Sequence, residues 1–136
     1  MIKAIIFDCF GVLATDTWQA FMAELPETAD VERARDAHRA YDSGHMSKEE
    51  AAKQIKSATG KNFTELDDMA GNGPAKNTKL IDYIAQLRKE GYKIGILSNV
   101  DSNWLRDTFL SDDEQALFDD FVLSYEVGMV KPDVRM

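Results

Sequence analysis

Residues 2–13 read IKAIIFDCFGVL, and this stretch decides the fold. Ile2, Ala4, Ile5, Ile6 and Phe7 form a short apolar run interrupted only by Lys3. A run without polar alternation predicts a strand buried on both faces, as in a parallel sheet covered by helices. It stops at Asp8, with Phe10-Gly11 two residues on. Open α/β sheets carry their reactive groups at the carboxyl ends of strands, where the chain turns over the sheet edge. A carboxylate placed there can serve as a nucleophile or a metal ligand. It can equally cap a turn, and the rest of the chain must decide.

The chain has 136 residues, enough for one domain with a small insertion. Its 24 acidic and 16 basic residues leave a formal net charge of −8. That balance argues against a nucleic-acid backbone or an anionic membrane as partner. A small-molecule substrate remains open, because a local pocket can be positive on an acidic protein. The single cysteine, Cys9, has no internal disulfide partner, which fits a reducing compartment. Neither a signal-peptide pattern nor an apolar run of membrane-spanning length is visible. The expectation is a soluble, cytoplasmic protein.

From Leu13 to about Asn72 the pattern is helical. Asp16 caps a first helix bearing Trp18, Phe21, Met22 and Leu25, which Pro26 ends. Asp30 caps a second with Val31, Ala34, His38 and Tyr41, closed by Gly44. Ser47 and Glu50 have capping-box spacing for a third that stops at Gly60. Asn62 and Glu65 repeat that spacing for a short fourth, and Gly71–Asn77 reads as a linker. A clear amphipathic helix then runs from Thr78 to Gly91, followed by a buried strand over Tyr92–Leu97 that ends in Ser98-Asn99. A helix opened by Asp101 or Ser102, a capping box at Ser111 and Glu114, and a third strand over Phe121–Ser124 follow. Pro132 and Asp133 are placed to begin another helix. Alternating strands and helices predict an α/β fold: a doubly wound, Rossmann-like parallel-sheet core, residues 1–13 and 76–136, with an inserted four-helix cap, residues 14–75.

Three strand ends or loops thus carry Asp8, Ser98-Asn99 and Lys131. With FDCFGVL at Phe7–Leu13, ILSN at Ile96–Asn99 and SYEVGMVKPD at Ser124–Asp133, the chain resembles the haloacid dehalogenase-like (HAD) hydrolase superfamily. The resemblance is to the subfamily with a small helical cap after the first motif, and covers the whole chain; relative to that pattern the C-terminal end is truncated. It implies phosphatase-type hydrolysis of a small phosphorylated metabolite through an aspartyl-phosphate at Asp8. Lys131 would bring a cation to the site, and the Ser98 hydroxyl and Asn99 amide would be donors to the phosphate. Mg²⁺ is the implied cofactor, on Asp8, the backbone carbonyl of Phe10 and an acidic pair from a fourth motif.

Two positions depart from the family pattern. Phe10 stands where most phosphatases of this kind have a second Asp as general acid and base, and phenylalanine moves no proton. No Asp or Glu follows Asp133. A second reading is therefore a 2-haloacid dehalogenase, which attacks carbon with the same Asp, needs no Mg²⁺ and often has an aromatic residue at the Phe10 position; Arg33, Arg35 and Arg39 are available to it. A third is a non-catalytic fragment or binding module. Cys9 reads as a small buried hydrophobe, His38 and the Trp18–Phe21 pair as cap core, and Asp16 as a helix cap. In folds of this kind the first strand lies mid-sheet, so ending the chain at Met136 makes Ile2–Phe7 an edge. Either self-association through that edge or a poorly stable chain is expected.

Overall fold

A computed structural model describes residues 2–63 and 73–136. Strand β1 is Ala4–Phe7, β2 is Lys93–Ser98 and β3 is Asp120–Leu123. They form one parallel sheet in the order β1-β2-β3, with Ile6 opposite Gly95 and Leu97 opposite Val122. Helices α1 (Thr17–Ala23), α2 (Val31–Asp42) and α3 (Lys48–Thr59) lie between β1 and helix α4 (Thr78–Lys89). A single π-helical turn, Leu105–Phe109, and the short helix α5 (Asp112–Gln115) link β2 to β3. Helix α6 (Ser124–Val127) follows β3 directly. The fold is α/β, as the alternation of patterns implies.

The caps explain why the helices start where they do. Asp16, Asp30, Ser47 and Asn77 each accept the backbone N–H three residues on, from Gln19, Arg33, Glu50 and Leu80. Ser111 and Glu114 make a complete capping box, and Glu114 also meets Lys76 at 2.5 Å. Gly60 ends α3 at φ 73°, a conformation that residues with a Cβ adopt at a cost. The helix expected from Asn62 and Glu65 lies outside the described residues.

The sheet corrects one expectation. Ile5 and Phe7 of β1 pack on the core, but Ala4 is exposed and Ile6 is 68% exposed, so the strand is not buried on both faces. The reason is topological. Two right-handed crossovers stepping in the same direction, β1 to β2 to β3, put their helices on the same face. That face holds Ile94, Ile96 and Leu123 of the sheet with Ile81, Ile84 and Leu87 of α4 and Trp104, Leu105 and Phe109 of the second crossover. Three smaller corrections follow. Ser124 starts α6 instead of ending β3, the segment after Asp101 makes only one π-helical turn, and Pro132-Asp133 sits in a turn.

A second apolar cluster, Ala37, Ile55 and Phe63 with Trp18, Phe21 and Tyr41 packed on it, holds α1, α2 and α3 together. The two chain passages joining these helices to the sheet run side by side. Ala14 bridges Lys76, the Thr15 N–H donates to Ala75 O at 3.0 Å, and the Ala75 N–H donates to Thr15 Oγ1 at 2.9 Å. No helix among the described residues is long and apolar enough to cross a membrane.

Candidate active site

Asp8 follows the last residue of β1, where the chain reverses sharply. The Cys9 carbonyl accepts from the N–H groups of Leu13 at 2.7 Å and Ala14 at 2.9 Å, and the Gly11 N–H donates to Ala14 O at 2.7 Å. Gly11 has φ 79°, so this turn requires its missing Cβ. The knot fixes the backbone on which Asp8 stands, and the Cys9 N–H donates to Asp8 Oδ1 at 2.7 Å. The other oxygen, Oδ2, lies 2.5 Å from Lys131 Nζ.

Lys131 arrives from a loop after β3, and Asn99 places it. The Lys131 N–H donates to Asn99 Oδ1 at 2.8 Å, and Asn99 Nδ2 donates back to Lys131 O at 3.4 Å. Lys131 Nζ also donates to Leu97 O at 3.1 Å, near the end of β2. The ammonium is thereby held between a strand carbonyl and the Asp8 carboxylate. Sequence spacing brings Asp8, Asn99 and Lys131 together, and the structure shows the means: a side-chain amide reading the backbone of the lysine. Ser98 differs. It is fully buried, does not line the cleft, and its hydroxyl donates to Asn99 O at 3.3 Å. Nor does Asn99 open a helix, since the helical turn begins only at Leu105.

These groups lie on the floor of a cleft of about 390 Å³ between the carboxyl ends of the strands and the helical lobe. Asp8, Phe10, Asn99, Val100, Asp101 and Lys131 come from the sheet side. Trp18, Arg35, His38, Arg39, Tyr41 and Asp42 come from the helices, with Asp16, Thr17, Phe63, Gly73 and Pro74 completing the wall. The Phe10 ring stacks on Trp104 at 5.8 Å and 11° and packs against the apolar core, and Phe10 also lines the cleft. Trp18 stacks on His38 at 4.0 Å and meets Phe63 edge-on at 5.1 Å.

The sequence reading missed a polar cluster on the lobe side. His38 Nδ1 lies 3.3 Å from Asp42 Oδ2, and the Tyr41 hydroxyl donates to Asp101 across the cleft. Burial pushes the Asp42 carboxyl up to about 8, helped by the Asp101 charge, and burial pushes His38 down to about 4. Burial, then the bond to Asp101, raises the Tyr41 hydroxyl as well. The i, i+4 spacing of His38 and Asp42 was the available signal, obscured because both fit an amphipathic stripe. Asp16 does cap α1, through Oδ1 to the Gln19 N–H at 2.9 Å, and it also lines the cleft. Burial and the Asp8 charge push the Cys9 thiol up to about 12, which makes it a packing group and not a nucleophile.

For a divalent cation the donors are few. Among the described residues no three His, Cys, Asp or Glu side chains gather closely enough to hold a metal ion. Asp8 and the Phe10 carbonyl fit Mg²⁺ only in the manner of sites that use one carboxylate, substrate phosphate and water.

No family model matches the sequence, and no curated protein does. Solved structures do match. A predicted HAD-like family hydrolase from Porphyromonas gingivalis is 28% identical, with 98% of this chain and 71% of that one covered at a TM-score of 0.62. A HAD family enzyme from Bacteroides thetaiotaomicron, in complex with magnesium and inorganic phosphate, is 22% identical; 98% of this chain and 74% of that one are covered at 0.58. The L-2-haloacid dehalogenase from Xanthobacter autotrophicus with chloropropionic acid covalently bound is 18% identical, covering 98% and 61% at 0.59. The motif order, the parallel sheet and these neighbours agree: the chain has the fold of the haloacid dehalogenase-like hydrolases.

Proposed function

We propose that the chain is a phosphatase-type hydrolase acting on a small phosphorylated metabolite through Asp8. One observation carries the reading: a carboxylate at a strand end, 2.5 Å from an ammonium, on the floor of a cleft sized for a small molecule. The Asp8 oxygen attacks phosphorus in line, the bond to the leaving oxygen breaks, and an aspartyl-phosphate forms. Water then attacks phosphorus and returns the free carboxylate. Lys131 faces the charge on the transferring group, and its two backbone ties to Asn99 keep it there without reorganisation. Phe10 gives no proton, but the Asp42 carboxyl in the same cleft still carries one near neutrality. Asp8 and the Phe10 carbonyl would hold Mg²⁺ together with the phosphate. When bound, the ion offsets phosphate charge. The magnesium and phosphate held by the Bacteroides enzyme support this assignment.

A second reading, a 2-haloacid dehalogenase, is favoured by Phe10 beside the nucleophile, by Arg35 and Arg39 in the cleft wall, and by the haloacid dehalogenase among the neighbours. A third, a binding module that has lost turnover, is favoured by Phe10, which moves no proton, and by the lack of three gathered metal donors among the described residues. Assays of sugar and nucleotide phosphates, with 2-haloacids alongside, each with and without Mg²⁺, separate the three. We expect phosphate release that depends on Mg²⁺ and is lost on Asp8→Asn. Residual turnover within about tenfold of wild type, a barrier change of only about 1.4 kcal/mol, would remove Asp8 from the nucleophile's role. Halide release without Mg²⁺ would establish the second reading. No turnover of any substrate, with phosphate still bound, would establish the third.

A further inference from the structure

Most charged groups lining the cleft already have a partner. Asp8 meets Lys131, His38 meets Asp42, Asp101 accepts from Tyr41, and Asp16 caps α1. Arg35 and Arg39 stand apart. Both line the cleft and both are exposed, yet neither guanidinium has a hydrogen-bond or ion-pair partner among the described residues. They are four residues apart on α2, so they share one face and sit about 6 Å apart along the axis. At that spacing two planar forks can close on one carboxylate or phosphate. They reach the cleft from the helical lobe, whereas Asp8 and Lys131 reach it from the sheet. The same cleft is lined by Trp18 and Phe63, whose rings offer an apolar surface to a short carbon body. Two cations with no partner among the described residues, on one face of a helix lining a cleft, suit an anion bound there.

We propose that the substrate carries a second anionic group, a carboxylate or a second phosphate, and that Arg35 and Arg39 bind it while the scissile phosphate lies at Asp8 and Lys131. This rests on the phosphatase reading and names its substrate class: small molecules with an anion at each end. The arginines are specificity residues, one helical turn apart, that reject neutral-tailed phosphates.

The test compares glycerol 3-phosphate, which has a neutral tail, with 3-phosphoglycerate and fructose 1,6-bisphosphate, which have a carboxylate and a second phosphate. Wild type should prefer at least one of the latter two by about tenfold or more in kcat/KM, and whichever it prefers identifies the second anion. Arg35→Gln/Arg39→Gln should erase that preference, chiefly through KM, and Arg35→Lys/Arg39→Lys should restore part of it because charge returns without the fork. A binding measurement without turnover accompanies it: calorimetry of 3-phosphoglycerate, fructose 1,6-bisphosphate and glycerol 3-phosphate on Asp8→Asn, with and without the paired Gln changes. If no ester is hydrolysed but the anionic-tailed ligands still bind more weakly when both arginines are Gln, the phosphatase reading falls and the anion site stands. Equal binding of all three ligands to Asp8→Asn, or a preference unchanged by the Gln pair, overturns the proposal.

Discussion

Ser124 shows how much one hydroxyl can organise here. It is fully buried, accepts from the Val100 N–H at 2.8 Å and lies 2.5 Å from Asp42 O as a donor. It therefore ties the end of β3 to the loop after β2 and to the last residue of α2. Ser124→Ala leaves a buried amide and a buried carbonyl without this partner and should destabilise the fold by about 2 kcal/mol. Chemical denaturation checks it, and a change below about 0.5 kcal/mol would mean the groups find other partners. Asp42 gives a second test. Its carboxyl has an ordinary value near 3.8 unfolded and about 8 folded, so the folded chain holds more protons between those values. Stability must then fall as pH rises through that window. His38, lowered to about 4, works in the opposite direction below 6.5, so the fall attributable to Asp42 stands alone from about 6.5 to 8. Melting temperature should drop across that interval in wild type and stay flatter in Asp42→Asn; equal slopes would remove Asp42 as the cause. Asp8, Asn99 and Lys131 were readable as residues because each ends a strand or a strand-following loop. The His38–Asp42 and Tyr41–Asp101 pairs were not, because sequence spacing does not say which stripe of a helix faces a cleft.

At the scale of elements, the starts of α1 to α5 were legible because each has a side chain that satisfies an orphan N–H: Asp16, Asp30, Ser47, Asn77 and Ser111. Strand burial was less legible. An apolar run such as Ile2–Phe7 reports what a strand can bury, while the crossovers decide what covers it. In β1, Ile6 remains 68% exposed opposite Gly95, and among the described residues no strand pairs with its outer side. Unpaired amides beside an apolar face favour a partner strand. We propose that this chain self-associates through Ile2–Phe7. Light scattering across a dilution series should show a larger species that dissociates on dilution, and Ile6→Lys should weaken it by setting charges against each other. A monomer that stays soluble at high concentration, with fast amide exchange along Ile2–Phe7, would show the edge is tolerated.

At the scale of the molecule, one apolar cluster sits on the sheet and another among α1–α3, and the cleft lies between them. The passages at Thr15 and Ala75 are hydrogen-bonded to each other, so a rigid-body swing of the helices would pivot near Thr15 and Gly73. We propose that such a swing gates Asp8. Labels on the lobe and the sheet should approach when phosphate binds, and a distance unchanged by ligand would show a fixed cleft. The alternation of strands and helices told the architecture; the cleft itself could not be read, because it is made by elements far apart in the chain. The central claim is that Asp8 is the nucleophile of phosphoryl transfer, and a single turnover in ¹⁸O-labelled water tests it most directly. Water attacking phosphorus of an aspartyl-phosphate places the label in released phosphate and leaves the Asp8 peptide unlabelled. Label recovered in the Asp8 carboxylate would contradict the account, because it would mean that water attacked the carboxyl carbon of an ester, as in dehalogenation.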